Sequence, residues 1–112
     1  MFSQDQILIR QLLLTIDRVL EYSINLNSPD DLAIDYKTFD AILMNFVALG
    51  ETVGKLSNDI KEKQRNIDWR KIYAFRNIVA HDYFGVDEEV VWQIIQKHLP
   101  KLKSDLQSII NQ

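Results

Sequence analysis

Eight consecutive residues, Arg76 to Tyr83, place an arginine, an asparagine, a histidine and a tyrosine in an otherwise apolar stretch. Arg76 gives a permanent cation with forked donors, His81 carries a proton near neutral pH, and the Tyr83 hydroxyl is a donor or a nucleophile that can be modified. These residue types could bind and transform a phosphate group. The alternative is structural, with His81 and Tyr83 packed at the end of a core helix and their polar tips satisfied.

The spacing of these residues sets a geometric condition on any shared chemistry. If the segment is helical, Asn77 and His81 share a face, whereas Arg76 and His81 point roughly 140° apart. Both could meet one phosphate if the helix ends near His81, and Gly85 predicts such a C-terminal stop. A second subunit, paired by a two-fold axis, could instead complete the site.

The elements that must position the motif are predicted to be helices. Apolar residues at a three-four spacing predict a first helix over Gln4–Ile24, and the turn-forming residues of Asn25–Asp35 predict a connector. The rhythm resumes in a second helix over Tyr36–Ile60, which we expect to fray after Ser57. No convincing strand pattern is present, so the prediction is all-α, an up-and-down bundle of four to five helices.

The third and fourth helices carry recognisable start and stop signals. Asp68 can cap a third helix, Trp69 to about His81, which carries the motif. Asp87 can cap a fourth, with Val86 and Val91 placed as a hydrophobic staple. Pro100 lacks an amide donor, so this last helix should kink or restart near Leu99 and form two segments.

Gly50 and Glu51 lie inside the second predicted helix. A glycine in a helix interior costs about 1 kcal/mol relative to alanine, which suggests close approach of another backbone. Glu51 could be a surface residue, or a carboxylate that pairs with Arg76 or orients His81 across the helix contact.

Length and composition bound the class of protein. The 112 residues predict a single domain over 1–112, small enough to share its core with a partner subunit. The absence of cysteine excludes disulfides, thiolate catalysis and cysteine zinc sites, as in a reducing cytoplasm. The amino terminus lacks the pattern of a signal peptide, and the most apolar run, Ala41–Leu49, is too short to span a bilayer. We therefore expect a soluble cytoplasmic protein.

The charge of the chain is unevenly distributed. The net charge of -3 argues against nonspecific nucleic-acid binding by bulk electrostatics. Between Lys55 and Arg76, however, seven basic residues stand against three acidic ones. This segment is either a solvated helix end and loop or a track for an RNA backbone. His81 and His98 fall on different predicted helices without companion ligands, so no metal site is expected.

The Arg-x4-His-x-Tyr arrangement at Arg76, His81 and Tyr83, with Asn77 after the arginine, resembles the signature of HEPN-domain proteins, especially the HepT-like toxins. The resemblance covers nearly the whole chain. It extends through Leu49-Gly50-Glu51, Ile67-Asp68-Trp69, Tyr83-Phe84-Gly85-Val86-Asp87, Val91-Trp92 and Leu99-Pro100, in that order.

The resemblance implies a homodimeric helical bundle in which two motif helices line a composite cleft. It further implies a metal-independent endoribonuclease. Arg76 would stabilise the charge of the transition state, and His81 would transfer protons to or from the ribose 2′-hydroxyl or the leaving 5′-oxygen. Asn77, Asp82 and Glu51 would support the site. The 2′-hydroxyl would restrict the substrate to RNA.

The resemblance also implies a toxin–antitoxin system of type VII-like organisation. A minimal nucleotidyltransferase antitoxin would transfer AMP from ATP onto Tyr83 and block the cleft with phosphate charge and an adenosine. Cleavage itself would need no cofactor. The alternative function is a non-catalytic nucleotide-binding or interaction subunit of a nucleotidyltransferase complex, because fold alone does not fix activity.

Overall fold

Helices make up nearly all of residues 3–111, the part of the chain that the computed structural model describes, and no β-strand occurs among them. A 3-10 turn spans Tyr83–Gly85 and a π-helical segment spans Ile94–His98. The α-helices are α1 (Gln4–Ser23), α2 (Pro29–Ile34), α3 (Tyr36–Lys55), α4 (Asn58–Lys63), α5 (Trp69–His81), α6 (Glu88–Gln93) and α7 (Leu99–Ile110). The predicted all-α class is confirmed.

The predicted helix starts coincide with side-chain caps. Asp68 accepts a hydrogen bond from the Lys71 amide at 3.1 Å and begins α5. Asp87 accepts one from the Glu89 amide at 2.8 Å and begins α6. Each carboxylate satisfies an amide that has no partner in the first helical turn, so both caps are confirmed as predicted.

Two predicted boundaries are wrong. The expected connector contains the short helix α2, which Ser28 caps and Pro29 opens. The second predicted helix ends at Lys55 instead of Ile60, because the Ser57 amide donates to the Asp5 carboxylate of α1 at 3.0 Å. In a continuous helix that amide would bond the carbonyl four residues earlier. A long-range contact, invisible to periodicity, therefore ends the helix.

The predicted break near Leu99 is confirmed, and its form is a π segment. Pro100 has no amide to donate to the carbonyl four residues earlier. Just before it, the Leu99 amide donates to the Ile94 carbonyl, a five-residue spacing. Helix α7 then restarts at Leu99.

The core joins the long helices. Its fully buried members include Ile9, Leu12, Ile16, Leu32, Ile42, Leu43, Val91, Ile95 and Leu106. Asp5 at the start of α1 contacts Ser57 just after α3, so α1 and α3 are antiparallel. Among residues 3–111, no helix has both the length and the apolar character that crossing a bilayer requires.

The motif helix α5 lies at the edge of this bundle. It packs on α3 and contacts the 3-10 turn that follows it. On its other side a groove of about 640 Å³ separates it from α6, the π segment and α7. Phe46 and Leu49 of α3 line this groove together with Phe75 and Ile78 of α5. One face of α5 is therefore fixed by packing while another remains open.

Candidate active site

Helix α5 packs directly against the backbone of α3 at Gly50. A Cβ atom at position 50 would lie 2.9 Å from Cγ of Arg76, still closer to its Cβ, and 3.5 Å from its Cα. No side chain fits there without displacing the base of Arg76. The close backbone approach that the glycine predicted is confirmed, and it places the motif arginine at the point of contact.

A second glycine contact, at Gly54, fixes the relative direction of the two helices. A Cβ atom there would lie 3.1 Å from Cε2 of Tyr73. The contact partner moves from Arg76 back to Tyr73 as α3 advances from Gly50 to Gly54, so α3 and α5 are antiparallel. Between these contacts and the amino terminus of α3, the rings of Phe46 and Phe75 pack edge to face at 5.4 Å.

Polar contacts hold the guanidinium of Arg76 on two sides. Its Nε donates to Oε1 of Glu51 at 2.7 Å, and its Nη2 contacts the same carboxylate. Its Nη1 donates to Oδ1 of Asn77 at 2.8 Å. A guanidinium has five N–H donors, so two remain to meet a phosphate. Among the roles predicted for Glu51, the structure supports pairing with Arg76. We call Glu51, Arg76 and Asn77 the guanidinium cluster.

His81 is the exposed last residue of α5. Within residues 3–111 its ring makes no hydrogen bond, so its nitrogens face solvent. Asn77, one turn earlier on the same face, makes no hydrogen bond to His81, and its side-chain oxygen accepts from Arg76. Helix α5 does end where the geometric condition requires, immediately after His81.

The stop itself is not the predicted one. Asp82, with φ −142° and ψ 58°, ends α5, and its amide donates to the Ile78 carbonyl at 3.0 Å. Gly85 lies in the 3-10 turn, and no residue of the described chain has a positive φ. A Cβ atom at position 85 would collide with the Asp82 carboxylate. Gly85 thus lies against the Asp82 carboxylate and does not form a left-handed cap.

Tyr83 opens the 3-10 turn and reaches back to α3. Its hydroxyl donates to Oδ1 of Asp40, a residue that the sequence analysis missed. Its ring packs edge to face on Phe84 at 5.3 Å. The one signal for Asp40 is the antiparallel register set at Gly50 and Arg76, which brings the start of α3 beside the end of α5. We call Asp40 and Tyr83 the tyrosine pair.

The predicted site residues therefore form two groups within one chain. Asp40 and Gly50 are ten residues apart, so the tyrosine pair and the guanidinium cluster are separated by about 15 Å along α3. No hydrogen bond or ion pair within residues 3–111 joins Arg76, His81 and Tyr83 to one another. The predicted supporting residues divide likewise, since Glu51 and Asn77 hold Arg76 whereas Asp82 shapes the turn.

A basic cleft of about 700 Å³ lies one helical turn before Arg76. The cationic side chains of Lys61, Arg65 and Arg70 line it, with the ring of Tyr73 and the backbone at Gly54. Arg65 and Arg70 are exposed. Part of the predicted basic segment is thus concave, and within residues 3–111 Asp68 is the one acidic residue of its lining.

The remaining candidates lie outside these groups. Trp69 is buried, and its Nε1 donates to the Gln64 carbonyl at 3.2 Å, as expected of a core aromatic residue. His98 is exposed on the π segment. Within residues 3–111 no three His, Asp or Glu side chains cluster as the ligands of a metal ion would.

Comparison with known proteins agrees with the motif and the bundle. A family model described as "Ribonuclease HepT-like" matches residues 12–109. A Methanocaldococcus jannaschii protein named "Putative RNase MJ1380" is 31% identical over 83 residues, covering 68% of this chain and 76% of the relative. A Thermococcus cleftensis protein named "Probable ribonuclease HepT" is 31% identical over 80 residues, covering 71% of this chain and 73% of the relative.

One relative is a larger protein. The M. jannaschii protein named "Gamma-glutamylcyclotransferase and putative RNase MJ0434" is 28% identical over 107 residues, which is 96% of this chain but 48% of the relative. This chain therefore spans about half of that protein. No solved structure matches. Because the family model covers nearly all of a helical chain that carries Arg76, His81 and Tyr83 in the expected order, the protein belongs to the HepT-like ribonuclease family of HEPN proteins.

Proposed function

We propose that this chain is the toxin of a toxin–antitoxin system, a metal-independent endoribonuclease that acts as a homodimer in the cytoplasm. The observation that carries the proposal is the setting of Arg76 and His81 on α5. The guanidinium is held by Glu51 and Asn77, while the imidazole stands exposed at the helix end. One group is prepared to hold a phosphate, and the other is free to exchange protons.

The reaction that fits these groups is attack of the ribose 2′-hydroxyl on the adjacent phosphorus, with loss of the 5′-oxygen. The two remaining donors of Arg76 would bind the phosphate oxygens and stabilise the charge that develops on them. His81 would remove the proton of the 2′-hydroxyl or give one to the leaving 5′-oxygen. A dimer supplies two imidazoles, so acid and base can be separate copies of the same residue.

The open face of α5 supports a dimeric site. Ile78 is 52% exposed beside the groove, and Phe84, in the turn after the motif, is 98% exposed. Apolar side chains grouped in this way are typical of protein interfaces. A second copy packed against α5 would bring its own Arg76 and His81 toward this groove. The dimer could then bring together the guanidinium and imidazole groups that lie apart within one chain.

The basic cleft supports RNA as the substrate. Lys61, Arg65 and Arg70 supply cations that can follow a phosphate backbone toward Arg76, and the Tyr73 ring can stack on a base. Its local positive charge offsets the net charge of -3 of the whole chain. The substrate would therefore enter along the amino-terminal half of α5.

Control of the enzyme would lie at Tyr83. Its side chain is 39% exposed, so a partner enzyme can reach it. A minimal nucleotidyltransferase antitoxin would transfer AMP from ATP to the hydroxyl and add phosphate charge and an adenosine close to the cleft. RNA phosphates would then be repelled and obstructed.

One experiment tests cleavage, assembly and control together. Wild type, Arg76→Ala and His81→Ala are incubated with RNA in the presence of a chelator, and the molar mass of each is measured by light scattering. We expect a cleaving wild-type dimer and folded dimeric variants whose rates are about 10² to 10⁴ times lower. Arg18→Ala, an exposed arginine on α1, is the matched control and should cleave like wild type.

The same wild-type sample is then treated with ATP, Mg²⁺ and a candidate nucleotidyltransferase, with Tyr83→Phe as the control that cannot be modified. An AMP-sized gain in mass together with lost cleavage supports the proposal. Equal cleavage by wild type and both active-site variants would show that the assigned residues are wrong. Folded wild type with no cleavage would favour the alternative of a non-catalytic nucleotide-binding or interaction subunit.

A further inference from the structure

The hydroxyl of Tyr83 differs from those of the other three tyrosines in its hydrogen bonding. It donates to the Asp40 carboxylate, 43 residues earlier in the chain. Tyr22, Tyr36 and Tyr73 make no hydroxyl hydrogen bond within residues 3–111. Exposure does not set Tyr83 apart, since it is 39% exposed whereas Tyr22 is 42% and Tyr73 is 41% exposed.

The turn that carries Tyr83 is built to hold this contact. Gly85 donates its amide to the Asp82 carbonyl at 3.0 Å and closes the 3-10 turn. The Asp82 carboxylate lies against Gly85, and no hydrogen bond within residues 3–111 joins it to the tyrosine hydroxyl. The exposed Phe84 ring contacts the Tyr83 ring edge to face at 5.3 Å. Asp40 is therefore the acid that contacts the hydroxyl oxygen.

We propose that Asp40 is the general base for group transfer to Tyr83, so that the toxin carries both the nucleophile and its proton acceptor. This inference rests on the proposed modification of Tyr83 and adds a residue to it. A neutral phenol is a weak nucleophile near pH 7, because a tyrosine ordinarily loses its proton only near pH 10. A positioned base that takes the proton as the bond forms contributes about 10² to 10⁴ in rate.

In the transfer of the nucleotide to Tyr83, each bond formed is matched by a bond broken, and the proton has a named acceptor. The Tyr83 oxygen attacks the α-phosphorus of a nucleoside triphosphate, and a phosphorus–oxygen bond forms. The bond from that phosphorus to the β-phosphate breaks, and pyrophosphate leaves with its electron pair. The hydroxyl proton passes to Oδ1 of Asp40. The partner enzyme then needs to supply the nucleotide and its metal but no base.

Nucleophilicity can be measured without the partner. N-acetylimidazole transfers an acetyl group to tyrosine hydroxyls, and peptide mass spectrometry gives the rate at each of the four tyrosines in the same sample. We expect Tyr83 to react about tenfold faster than Tyr22 and Tyr73, which have matching exposure. In Asp40→Asn the Tyr83 rate should fall to theirs, while their own rates stay unchanged.

Substitutions at Asp40 distinguish a general base from a purely structural hydrogen-bond acceptor. Asparagine keeps an oxygen that accepts the hydrogen bond but cannot take the proton, so a purely structural contact would survive in Asp40→Asn. Asp40→Glu restores a carboxylate and should recover part of the rate. The inference is overturned if wild-type Tyr83 reacts no faster than Tyr22 and Tyr73, or if Asp40→Asn retains the wild-type rate.

Transfer of AMP by a candidate nucleotidyltransferase, with ATP and Mg²⁺, distinguishes failure of the inference from failure of the proposed function. If wild type is modified and Asp40→Asn is modified equally fast, Asp40 is no base and the proposed control stands. If Tyr83 shows the Asp40-dependent acetylation but accepts no AMP, the control proposal fails and the activated tyrosine stands. The expected result is modification at least 10²-fold slower in Asp40→Asn.

Discussion

The two ends of the contact between α3 and α5 hold their functional side chains in different ways. At Gly50 the base of Arg76 is pressed against a helix backbone, and Glu51 and Asn77 fix its guanidinium. At the other end Tyr83 stands on a 3-10 turn, and one hydrogen bond from its hydroxyl reaches Asp40. The arginine is held by helix packing at its base and by polar contacts at its guanidinium, whereas a single hydrogen bond ties the tyrosine hydroxyl to α3.

This difference matches the different demands that the proposed function would place on the two residues. A cation that stabilises a transition state works best when it does not reorganise, so rigid packing suits Arg76. A residue that a second enzyme must reach has to stand on an accessible segment, so a turn suits Tyr83. The comparison predicts that the Gly50 end tolerates little change and that the tyrosine end responds mainly to changes of charge.

The largest expected effect follows from filling the space at Gly50. In Gly50→Ala the new methyl group would overlap Cβ and Cγ of Arg76, which lie too close to the backbone to swing aside. Overpacking costs about 1–3 kcal/mol, of which the better helix propensity of alanine returns about 1 kcal/mol. Displacement of the guanidinium by about 1 Å should lower RNA cleavage about 100-fold.

Gly54→Ala is the matched control for that substitution, and thermal unfolding and initial cleavage rates are the measurements for both. Its methyl group would meet only the edge of the Tyr73 ring at 3.1 Å, which can move by a few tenths of an ångström. We expect unchanged or slightly higher stability and a loss of cleavage much smaller than that of Gly50→Ala, limited to the shift of the Tyr73 ring in the basic cleft. If Gly50→Ala behaves like Gly54→Ala, the packed glycine does not position Arg76.

A smaller effect is expected from Glu51→Gln, which keeps an oxygen acceptor for Arg76 but removes its charge. The guanidinium would lose a charge-assisted hydrogen bond, and RNA cleavage should fall about tenfold. Stability should change by no more than about 1 kcal/mol, because the Arg76 and Glu51 side chains are 31% and 49% exposed. Steady-state cleavage kinetics and thermal unfolding measure the two quantities separately.

The Lys103–Asp17 ion pair provides the control for Glu51→Gln. It joins α7 to α1 at 2.7 Å with exposures of 34% and 53%, close to those of the Arg76–Glu51 pair. Asp17→Asn should change stability as little as Glu51→Gln does and leave cleavage intact. An equal loss of cleavage in both variants would mean that any exposed ion pair matters, and the special role of Glu51 would be lost.

The sequence predicted those features that depend on neighbouring residues. Asp68 and Asp87 cap their helices through amides two or three residues away, and Pro100 breaks the last helix through its own missing donor. Gly50 predicted the close approach of another backbone, because the cost of a glycine inside a helix requires a compensating contact. Local chemistry was sufficient in each of these cases.

Features that depend on distant residues were missed or mistaken. Helix α3 ends early because Asp5 takes the amide of Ser57, 52 residues away. Asp40 lies beside Tyr83 because α3 and α5 are antiparallel, which periodicity does not reveal. Gly85 was interpreted as the C-terminal stop of the motif helix, whereas the helix ends at Asp82 and Gly85 lies in the following 3-10 turn. Such contacts are set by the tertiary arrangement and not by spacing along the chain.

The smallest expected effect tests the tyrosine end through the cap of α3. The Thr38 hydroxyl and the Thr38 amide donate to Asp35 at 2.6 and 3.2 Å, and these bonds hold the pKa of the Asp35 carboxyl below its usual range. Because the folded pKa is the lower one, the stabilisation is present at neutral pH and is lost as the pH falls below about 4. Asparagine caps a helix about as well as aspartate, so Asp35→Asn isolates the charge.

Thermal unfolding of Asp35→Asn and wild type should therefore differ slightly at pH 7 and converge under acid conditions. Asp30→Asn, which removes an exposed acid from the first turn of α2, is the control for the loss of one carboxylate. Asp40 lies in the second turn of α3, so any weakening of the first turn by the lost charge should alter acetylation of Tyr83 while cleavage that depends on Arg76 is preserved. Equal changes in the acetylation of Tyr83 and in RNA cleavage would mean that the two ends of the α3–α5 contact act as one unit. The Gly50 end and the tyrosine end would then not be independent.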